Sequence, residues 1–327
     1  MGSRVLSGDR PESIHRAAEI IRAGGLVAFP TETVYGLGCD ALNPDAAAKV
    51  FEAKLRPTFD PLIVHLADRA MVEMVVKFVP PMAYRLMDAF WPGPLTVILP
   101  KQPSVPDLVT AGLSTVAIRL PDHPIARALI REAQTPIAAP SANPFSYVSP
   151  TTAQHVSDGL GDRVDLILDG GPCPVGVEST ILSLTGDRPE LLRPGSLTLE
   201  MIQAVIGPVD RATASGATMS VPGQSARHYA TRTPVTILNS PGAWPVPHGR
   251  ERAGLLTMSE PRELPGQFHA VEVLSPTGDL REAAQYLFAA LRRLDALGLD
   301  RIYAEPCVET GLGLAIMDRL RRCATPR

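Results

Sequence analysis

Apolar positions in the first two hundred residues alternate between helical spacing and short continuous runs. Ile14, Ala17 and Ile21 recur at helical spacing, the glycine pair 24–25 follows, and the apolar run 26–29 is typical of a buried strand. The same alternation predicts further helices at about 44–54, 81–90, after Pro124, and after Ser149 with Pro150 at the first helical position. It predicts strands at 62–66, 95–99, 116–120, 137–139, 166–168 and 180–184. This part of the chain is therefore predicted to be an α/β domain.

The pattern changes after Gly207. Residues 210–223 are rich in Ala, Thr, Ser and Gly without a helical or strand period, which indicates a linker. Beyond it, strands are predicted at 235–238, 254–258, 270–274 and 301–304, and helices at 279–297 and 312–323, the first opened by a capping box of Asp279 and Glu282. Short strands alternating with helices favour a small, open, largely parallel sheet. We predict domains over 1–207 and 233–327, joined by a linker over 208–232.

Composition narrows the class of protein. A length of 327 residues suits two domains, at roughly 100 to 200 residues per domain. The formal net charge is -3, so a general polyanion-binding tail is excluded and any basic site must be local. The longest apolar runs are far shorter than the roughly 20 residues of a membrane helix, and the first nine residues lack a signal-peptide pattern. Four scattered cysteines without a CxxC pair fit reduced thiols. We expect a cytoplasmic protein.

Familiar catalytic and phosphate-binding motifs are missing from the sequence. There is no GxxxxGK[ST], no GxGxxG between a strand and a helix, no GxSxG and no HExxH. The fragment Gly311-Leu-Gly313 is too short to count and favours a packing role. Hydrolase and metal-site interpretations therefore lose most of their support.

Polar segments at strand ends remain as candidates for a site. The segment 30–38 carries two hydroxyls, a carboxylate and a phenol directly after a strand, where α/β proteins bind ligands. Lys54 and Arg56 lie at a helix end and, taken alone, fit simple interaction with the helix dipole better than anion binding. Arg119 lies inside an apolar strand, and a buried guanidinium requires a carboxylate or a phosphate. An internal salt bridge and a ligand are equally compatible with that position.

Four further polar segments are candidates for the same site: 138–143, 149–152, 177–181 and 191–195. The predicted helix start after Ser149 offers free N–H groups to an anion, although plain N-capping explains Ser149 equally well. Ser179, Thr180 and Arg193 add two hydroxyls and a cation. One such segment would be weak evidence, but five together indicate a ligand site.

Together these segments resemble the YrdC/Sua5 family. The matching stretches are Phe29-Pro-Thr-Glu-Thr-Val-Tyr-Gly-Leu-Gly38, Lys54-Leu-Arg-Pro, Pro61-Leu-Ile-Val-His65, Pro140-Ser-Ala-Asn143, Ser149-Pro-Thr-Thr152, Val177-Glu-Ser-Thr180 and Arg193-Pro-Gly195. They cover residues 10 to 207 in one order, and the linker 221–230 with the α/β tail resembles the long, two-domain Sua5 type. The resemblance implies a twisted YrdC-like α/β sheet with a basic cavity and a smaller Rossmann-like parallel C-terminal domain.

The resemblance also implies an activity. It is that of an L-threonylcarbamoyladenylate synthase, a nucleotidyltransferase that converts L-threonine, bicarbonate and ATP to threonylcarbamoyl-AMP and pyrophosphate for the t6A37 modification of tRNA. No covalent enzyme intermediate is needed, so orientation and charge neutralisation can carry the rate. That accounts for the absence of a nucleophile motif. Mg²⁺ would come with ATP rather than from a protein cage.

The resemblance assigns roles position by position. Implied contacts to L-threonine or its carbamate are Thr33, His65, Arg119, Ser141 and Ser179. Implied contacts to ATP are Lys54, Arg56, Asp60, Thr115, Ala139, Asn143, Ser149, Arg193, His228 and Tyr229, the last two reaching back from the linker. The chain departs from the family pattern at Leu55, Asp60, Phe145, Tyr147 and Thr231, of which Asp60 places a carboxylate beside the phosphates.

Other functions stay open at this point. A carbamoyl-adenylate-forming relative would carry zinc-finger and kinase-like domains whose cysteine pattern this chain lacks. A non-catalytic nucleotide- or RNA-binding protein is disfavoured by the net charge of -3 and the lack of a basic run, so tRNA binding is expected to be weak or absent. The product would pass to downstream t6A transferase machinery, and a catalytically idle homologue would not need the full set of cations and hydroxyls.

Overall fold

The computed structural model describes residues 4–212, 228–247, 249–261 and 267–325, and they form two sheets flanked by helices. The first domain contains β1 (Arg4–Ser7), α1 (Pro11–Arg22), β2 (Val27–Phe29), β3 (Gly36–Asp40), α2 (Pro44–Lys54), β4 (Ile63–His65), α3 (Val72–Val75), α4 (Pro81–Phe90), β5 (Leu95–Pro100), α5 (Asp107–Thr110), β6 (Thr115–Arg119), α6 (Pro124–Ala133), β7 (Ile137–Ala138), α7 (Ala153–Leu160), β8 (Leu166–Asp169), β9 (Thr180–Ser183), β10 (Glu190–Arg193), α8 (Leu199–Ile206) and β11 (Asp210–Arg211). Its sheet has eleven strands among the described residues, in the order β1-β8-β2-β3-β7-β4-β6-β5-β9-β10-β11, with mixed parallel and antiparallel pairs.

Local sequence signals account for the helix starts that were predicted. α1, α2, α4 and α6 each begin with a proline, which tolerates the first helical position because no N–H partner is needed there. Asn43 caps α2 by accepting hydrogen bonds from the backbone N–H groups of Asp45 and Ala46. α2 ends at Leu55, which has a left-handed φ of 53° where glycine would be unstrained. Lys54 and Arg56 therefore flank the left-handed residue that ends the helix.

The predicted helix cap at Ser149 is wrong. The helix in this region, α7, starts at Ala153, and its cap is Thr152, whose side chain accepts a hydrogen bond from the N–H of His155. Two contacts hold the preceding residues out of the helix. The Ser149 hydroxyl donates to a Glu178 carboxylate oxygen at 2.6 Å, and the carbonyl of Pro150 accepts from the N–H of Tyr35 at 2.9 Å. Long-range partners thus override the local capping signal.

The second domain matches the prediction of a small parallel sheet. It contains β12 (Val235–Ile237), β13 (Ala253–Thr257), β14 (Ala270–Val273), α9 (Leu280–Ala296), β15 (Arg301–Ala304) and α10 (Leu312–Ala324). All pairs are parallel, in the order β12-β15-β13-β14. Asp279 caps α9, but Glu282 accepts from the Ser275 hydroxyl, which in turn accepts from the N–H of Asp279. Ser275 therefore closes the predicted capping box.

The two domains share an apolar core. Val34, Val148 and Val177 of the first domain belong to the same buried cluster as Phe288 of α9 and Ile316 of α10. A close approach makes this possible. Gly176 has a φ of 79°, and a Cβ there would lie 2.3 Å from the Gln285 carbonyl oxygen of α9. The second domain therefore packs directly on loops of the first, next to residues 177–180.

The domain boundaries themselves stay a prediction, but β11 lies within the predicted linker and pairs with β10 of the first domain. Residues 213–227 of the predicted linker lie outside the described part of the chain. Just before them, α8 packs against α4 of the first domain. Among the described helices, none is both long and apolar enough to cross a membrane.

Candidate active site

A cavity in the first domain gathers most of the predicted site residues. Its lining consists of Thr31, Thr33, Val34, Gly36, Arg56, Ile63, His65, Arg119, Ala139, Pro140, Ser141, Glu178, Ser179, Arg193, His228 and Tyr229. Ten of these were predicted from the resemblance. The linker residues His228 and Tyr229 do reach the cavity, and both are buried. The remaining predicted positions lie behind the lining or beside it.

Arg119 forms an internal salt bridge, one of the two interpretations that the sequence did not decide between. Its Nη2 lies 2.6 Å from Oε1 of the buried Glu32, and its Nη1 donates to the Thr33 hydroxyl at 2.9 Å. Arg119 also lines the cavity. The guanidinium is therefore both half of a buried ion pair and a cation facing the cavity. The signal for Glu32 was present in the sequence, as a carboxylate in segment 30–38, but nothing local paired it with a strand more than eighty residues away.

The Thr33 hydroxyl has a defined direction. The Thr31 hydroxyl donates to the Val34 carbonyl at 2.7 Å, which uses its only proton. Thr33 Oγ1 lies 2.8 Å from Thr31 Oγ1, so Thr33 must be the donor in that pair. Because Thr33 also accepts from Arg119, it has one acceptor position left for a ligand. That position suits an ammonium, amide or hydroxyl donor.

Ser179 is held by a second guanidinium. Arg193 donates to the Ser179 carbonyl through Nη2 at 2.9 Å and to the Ser179 hydroxyl at 3.2 Å, and that hydroxyl lies 2.8 Å from Thr96 Oγ1. The approach requires Gly195, where a Cβ would lie 2.4 Å from the Thr180 nitrogen. Arg193 and Ser179 thus form one rigid wall of the cavity.

Arg56 carries its own counter-ion. Its Nη2 lies 2.8 Å from Oδ1 of Asp60, with both side chains almost fully buried, and it also donates to the Asp60 and Pro61 carbonyls. Burial raises the pKa of Asp60, and the charges of Arg56, Lys54 and Arg193 act against that rise. The departure from the family pattern at Asp60 is therefore offset by a guanidinium within the protein.

Lys54 lies behind the lining rather than in it. Its ammonium donates to the Ser141 carbonyl at 2.5 Å and to the Asn143 carbonyl. Burial lowers the pKa of Lys54 well below its usual value, and the charge of Arg56 adds to the effect. Lys54 therefore ties α2 to the loop that carries Ser141 and Asn143. The helix-dipole interpretation does not account for these two contacts.

Three other predicted positions are outside the lining. Asn143 donates to the Pro144 and Tyr147 carbonyls, and its Oδ1 is buried without a hydrogen bond to any described residue. Ser149 donates to Glu178. Thr115 is on the same face of β6 as Arg119, at the opposite end of the strand. Their contacts to ATP stay a prediction.

Two buried histidines are neutral at pH 7. Burial, with a further effect of Arg119, lowers the pKa of His65 to about 3. Burial and the charges of Arg56 and Lys54 lower the pKa of His228 well below its usual value. Among the described residues that line the cavity, the positive charge therefore comes from Arg56, Arg119 and Arg193.

These histidines predict acid sensitivity. The unfolded chain takes up a proton at His65 near pH 6.5, whereas the folded chain does not until about pH 3. The contribution of neutral His65 to the free energy of unfolding is therefore fully present above pH 6.5 and is lost as the pH falls toward 3. At pH 4 the loss from His65 alone is about 3 kcal/mol. Urea unfolding at pH 7, 5 and 4 should show a shallower loss in H65Q than in the parent chain. H269Q, which removes an exposed histidine, is the control, and equal slopes in all three proteins would contradict the assignment.

The fold and the cavity define a class: a two-domain α/β protein with a site of buried guanidiniums and hydroxyls, groups that can bind an anion. The chain belongs to the Sua5/YciO/YrdC family. The family model Sua5_yciO_yrdC, described as "Telomere recombination", matches residues 19–195, and the model Sua5_C, described as "Threonylcarbamoyl-AMP synthase, C-terminal domain", matches residues 197–325. The family resemblance noted in the sequence is thereby confirmed.

Full-length relatives support the same grouping. The chain is 47% identical to threonylcarbamoyl-AMP synthase of Bacillus subtilis, over 98% of this chain and 95% of the relative. It is 44% identical to threonylcarbamoyl-AMP synthase of Pyrococcus abyssi, over 95% of this chain and 94% of the relative. The crystal structure of P. abyssi Sua5 complexed with L-threonine superposes with a TM-score of 0.89 at 41% identity, covering 96% of this chain and 95% of that one. The predicted α/β fold class is confirmed.

Proposed function

We propose that this chain is an L-threonylcarbamoyladenylate synthase, which makes threonylcarbamoyl-AMP and pyrophosphate from L-threonine, bicarbonate and ATP. The observation that carries the proposal is a cavity lined by the buried cations Arg56, Arg119 and Arg193 together with the buried hydroxyls of Thr33 and Ser179. The relatives that match over nearly the whole chain are threonylcarbamoyl-AMP synthases, and one of them has been crystallised with L-threonine.

The reaction balances without a protein nucleophile. The threonine ammonium and bicarbonate combine to give the carbamate, one water and one proton. A carbamate oxygen then bonds to the α-phosphorus of ATP while the bond from that phosphorus to the bridging β-oxygen breaks, releasing pyrophosphate. Both reactants are anions, so the protein must hold them together and offset their charge. Arginines fixed by internal partners do this without reorganising during the reaction.

The threonine end of the site is built around Arg119. Its guanidinium, oriented by Glu32, binds the threonine carboxylate through charge-assisted hydrogen bonds. The remaining acceptor position of Thr33 takes a threonine N–H or O–H donor. The neutral ring of His65 and the hydroxyls of Ser141 and Ser179 complete the contacts that the family resemblance implies.

The ATP end is built around Arg56 and Arg193, which face the triphosphate. The remaining proposed ATP contacts are Lys54, Asp60, Thr115, the backbone at Ala139, Asn143, Ser149, His228 and Tyr229. Cations placed along the phosphates stabilise the charge that develops as pyrophosphate leaves. His228 and Tyr229, buried at the cavity, exclude water from the mixed anhydride.

Mg²⁺ enters the proposal with the triphosphate. Among the described residues, no group of three acidic, histidine or cysteine side chains is arranged to hold a metal ion. Asp60 is an acidic group beside the phosphate-facing cations, but its Oδ1 is already paired with Arg56 at 2.8 Å, so the ion would be held by the phosphates. Mg²⁺ would supply charge neutralisation of the phosphates.

The chemistry of the product determines which class of reaction must consume it. A carbamate–phosphate mixed anhydride is an activated acyl donor, so a transferase that moves the threonylcarbamoyl group to tRNA must consume it. We propose that this transferase machinery binds tRNA and that tRNA binding by the synthase is weak or absent, consistent with a net charge of -3. A cytoplasmic location belongs to the same proposal.

Pyrophosphate release tests the proposal. With Mg²⁺, release should require ATP, L-threonine and bicarbonate together, and omission of any one should reduce it to background. Release without threonine would indicate ATP hydrolysis. Release when carbamoyl phosphate replaces threonine and bicarbonate would indicate a carbamoyl-adenylate-forming enzyme. ATP binding without release under any combination would indicate a binding protein.

A further inference from the structure

A fully buried arginine of the second domain contacts the wall of the active site. Arg319 lies on α10 with no exposed surface. Its Nε donates to Glu178 Oε2 at 3.0 Å, and its Nη1 donates to the Pro194 carbonyl at 2.6 Å. Its guanidinium carbon lies 5.2 Å from the centre of the Tyr229 ring. One side chain therefore reaches three separate segments of the first domain and linker.

Each of these contacts is adjacent to a proposed ligand-binding residue. Glu178 lines the cavity and precedes Ser179, Pro194 follows the cavity cation Arg193, and Tyr229 itself lines the cavity. A guanidinium that donates to Glu178 and Pro194 in fixed directions sets the spacing between their two segments. Its face against the Tyr229 ring holds the linker residue in place.

Glu178 extends the chain of contacts toward the proposed ATP site. Its second oxygen, Oε1, accepts from the Ser149 hydroxyl at 2.6 Å, and both residues are buried. A hydrogen-bonded chain of three side chains, Ser149, Glu178 and Arg319, thus connects a proposed ATP contact to the second domain. In this chain the charge of Glu178 is paired with Arg319. Glu178 therefore does not attract Arg193 away from the phosphates.

One donor of Arg319 is left over. Nη2 is buried and makes no hydrogen bond to any residue that the structure describes. The other two nitrogens are engaged, and Nη1 also donates to Asp318 Oδ2 at 2.8 Å. The directed contacts of Nε and Nη1 therefore fix the position of the guanidinium.

We propose that Arg319 is a positioning residue through which the second domain builds the ATP side of the active site. The inference rests on the proposed function. Its consequence is selective: ATP binding depends on Arg319, whereas threonine binding depends chiefly on Arg119 and Glu32, which Arg319 does not contact. Ser179, the threonine contact next to Glu178, is held separately, because its hydroxyl lies within hydrogen-bond distance of Arg193 and Thr96. The second domain is therefore part of the catalytic machinery.

The decisive variant is R319M/E178Q. R319M alone strands the buried charge of Glu178 and endangers folding, whereas the double variant removes both of these charges and nearly preserves volume. Asp318, which also pairs with Arg319, keeps its second partner Arg322 in the double variant. We expect a Tm close to that of the parent chain, with the Kd for a fluorescent ATP analogue and the KM for ATP each raised about tenfold or more, and the KM for threonine changed less than about threefold. R319K, which keeps the charge but loses the fork, should show the same selective loss.

R321A is the matched control, because Arg321 lies on the same helix in an exposed pair with Glu309. It should leave both substrates unaffected. Parental ATP affinity in a folded R319M/E178Q or R319K would overturn the proposal, as would an equal loss of ATP and threonine binding. ATP binding is measured without turnover, so absence of synthase activity in the parent chain would refute the proposed function without deciding the role of Arg319.

Discussion

The R119M variant is expected to lose kcat/KM for threonine by about a thousandfold, because the carboxylate of the substrate loses its guanidinium partner. It should also lose about 3 to 5 kcal/mol of unfolding free energy, since the buried Glu32 is left without a counter-ion. Threonine titrations and urea unfolding of the same preparation measure the two effects. ATP affinity should stay near that of the parent chain, because Arg56 and Arg193 are intact.

The double variant R119M/E32Q separates the two roles of Arg119. Removing both charges should restore most of the stability, because no buried charge remains unpaired. Threonine-dependent turnover should stay lost. If the double variant recovered both stability and turnover, Arg119 would act only as the internal partner of Glu32, and the proposed threonine site would have to be placed elsewhere.

The second large effect is expected at Lys54. K54M removes the donor shared by the Ser141 and Asn143 carbonyls, leaving both buried oxygens without that hydrogen bond. We expect a loss of about 3 kcal/mol in stability and of about a hundredfold in kcat/KM for ATP, because the loop carrying two proposed ligand contacts loses its anchor. Unfolding curves and initial rates at varied ATP measure these changes.

K49M is the matched control for Lys54. Lys49 is on the same helix and also donates to a carbonyl, that of Gly24 at 2.7 Å, but it is exposed and outside the cavity. It should lose less than about 1 kcal/mol and keep parental activity. Equal, small effects in K54M and K49M would favour the simpler interpretation, in which Lys54 only interacts with the dipole of its helix.

Sequence patterns predicted those parts of the fold that depend on residues close to one another in the sequence. Proline at the first helical position located α1, α2, α4 and α6, and alternating short strands and helices predicted the small parallel sheet. β3 was missed because its glycines, 36 and 38, are typical of a turn, whereas in the structure they allow Phe29 and Ile137 to pack closely. Ser149 failed as a cap because its hydroxyl is used by Glu178.

The site shows the same difference between local features, which were predicted, and long-range contacts, which were not. Motif resemblance brought ten predicted residues to one cavity, since each motif is local. The groups that orient them were not predicted: Glu32 lies 87 positions from Arg119, and Arg319 lies 141 positions from Glu178. No local pattern links residues that far apart. Only the expectation that a buried guanidinium needs a carboxylate pointed to such partners, without identifying them.

In the proposed reaction, one cavity brings together threonine, bicarbonate and the α-phosphate of ATP. The most direct test is to incubate the full chain with Mg²⁺, ATP, L-threonine and ¹³C-bicarbonate and to analyse the nucleotide product by mass spectrometry. We expect an adenylate with the mass of threonylcarbamoyl-AMP, heavier by one neutron than the product made with ordinary bicarbonate, and formed together with pyrophosphate. AMP or ADP without an adenylate that contains the labelled carbon would contradict it.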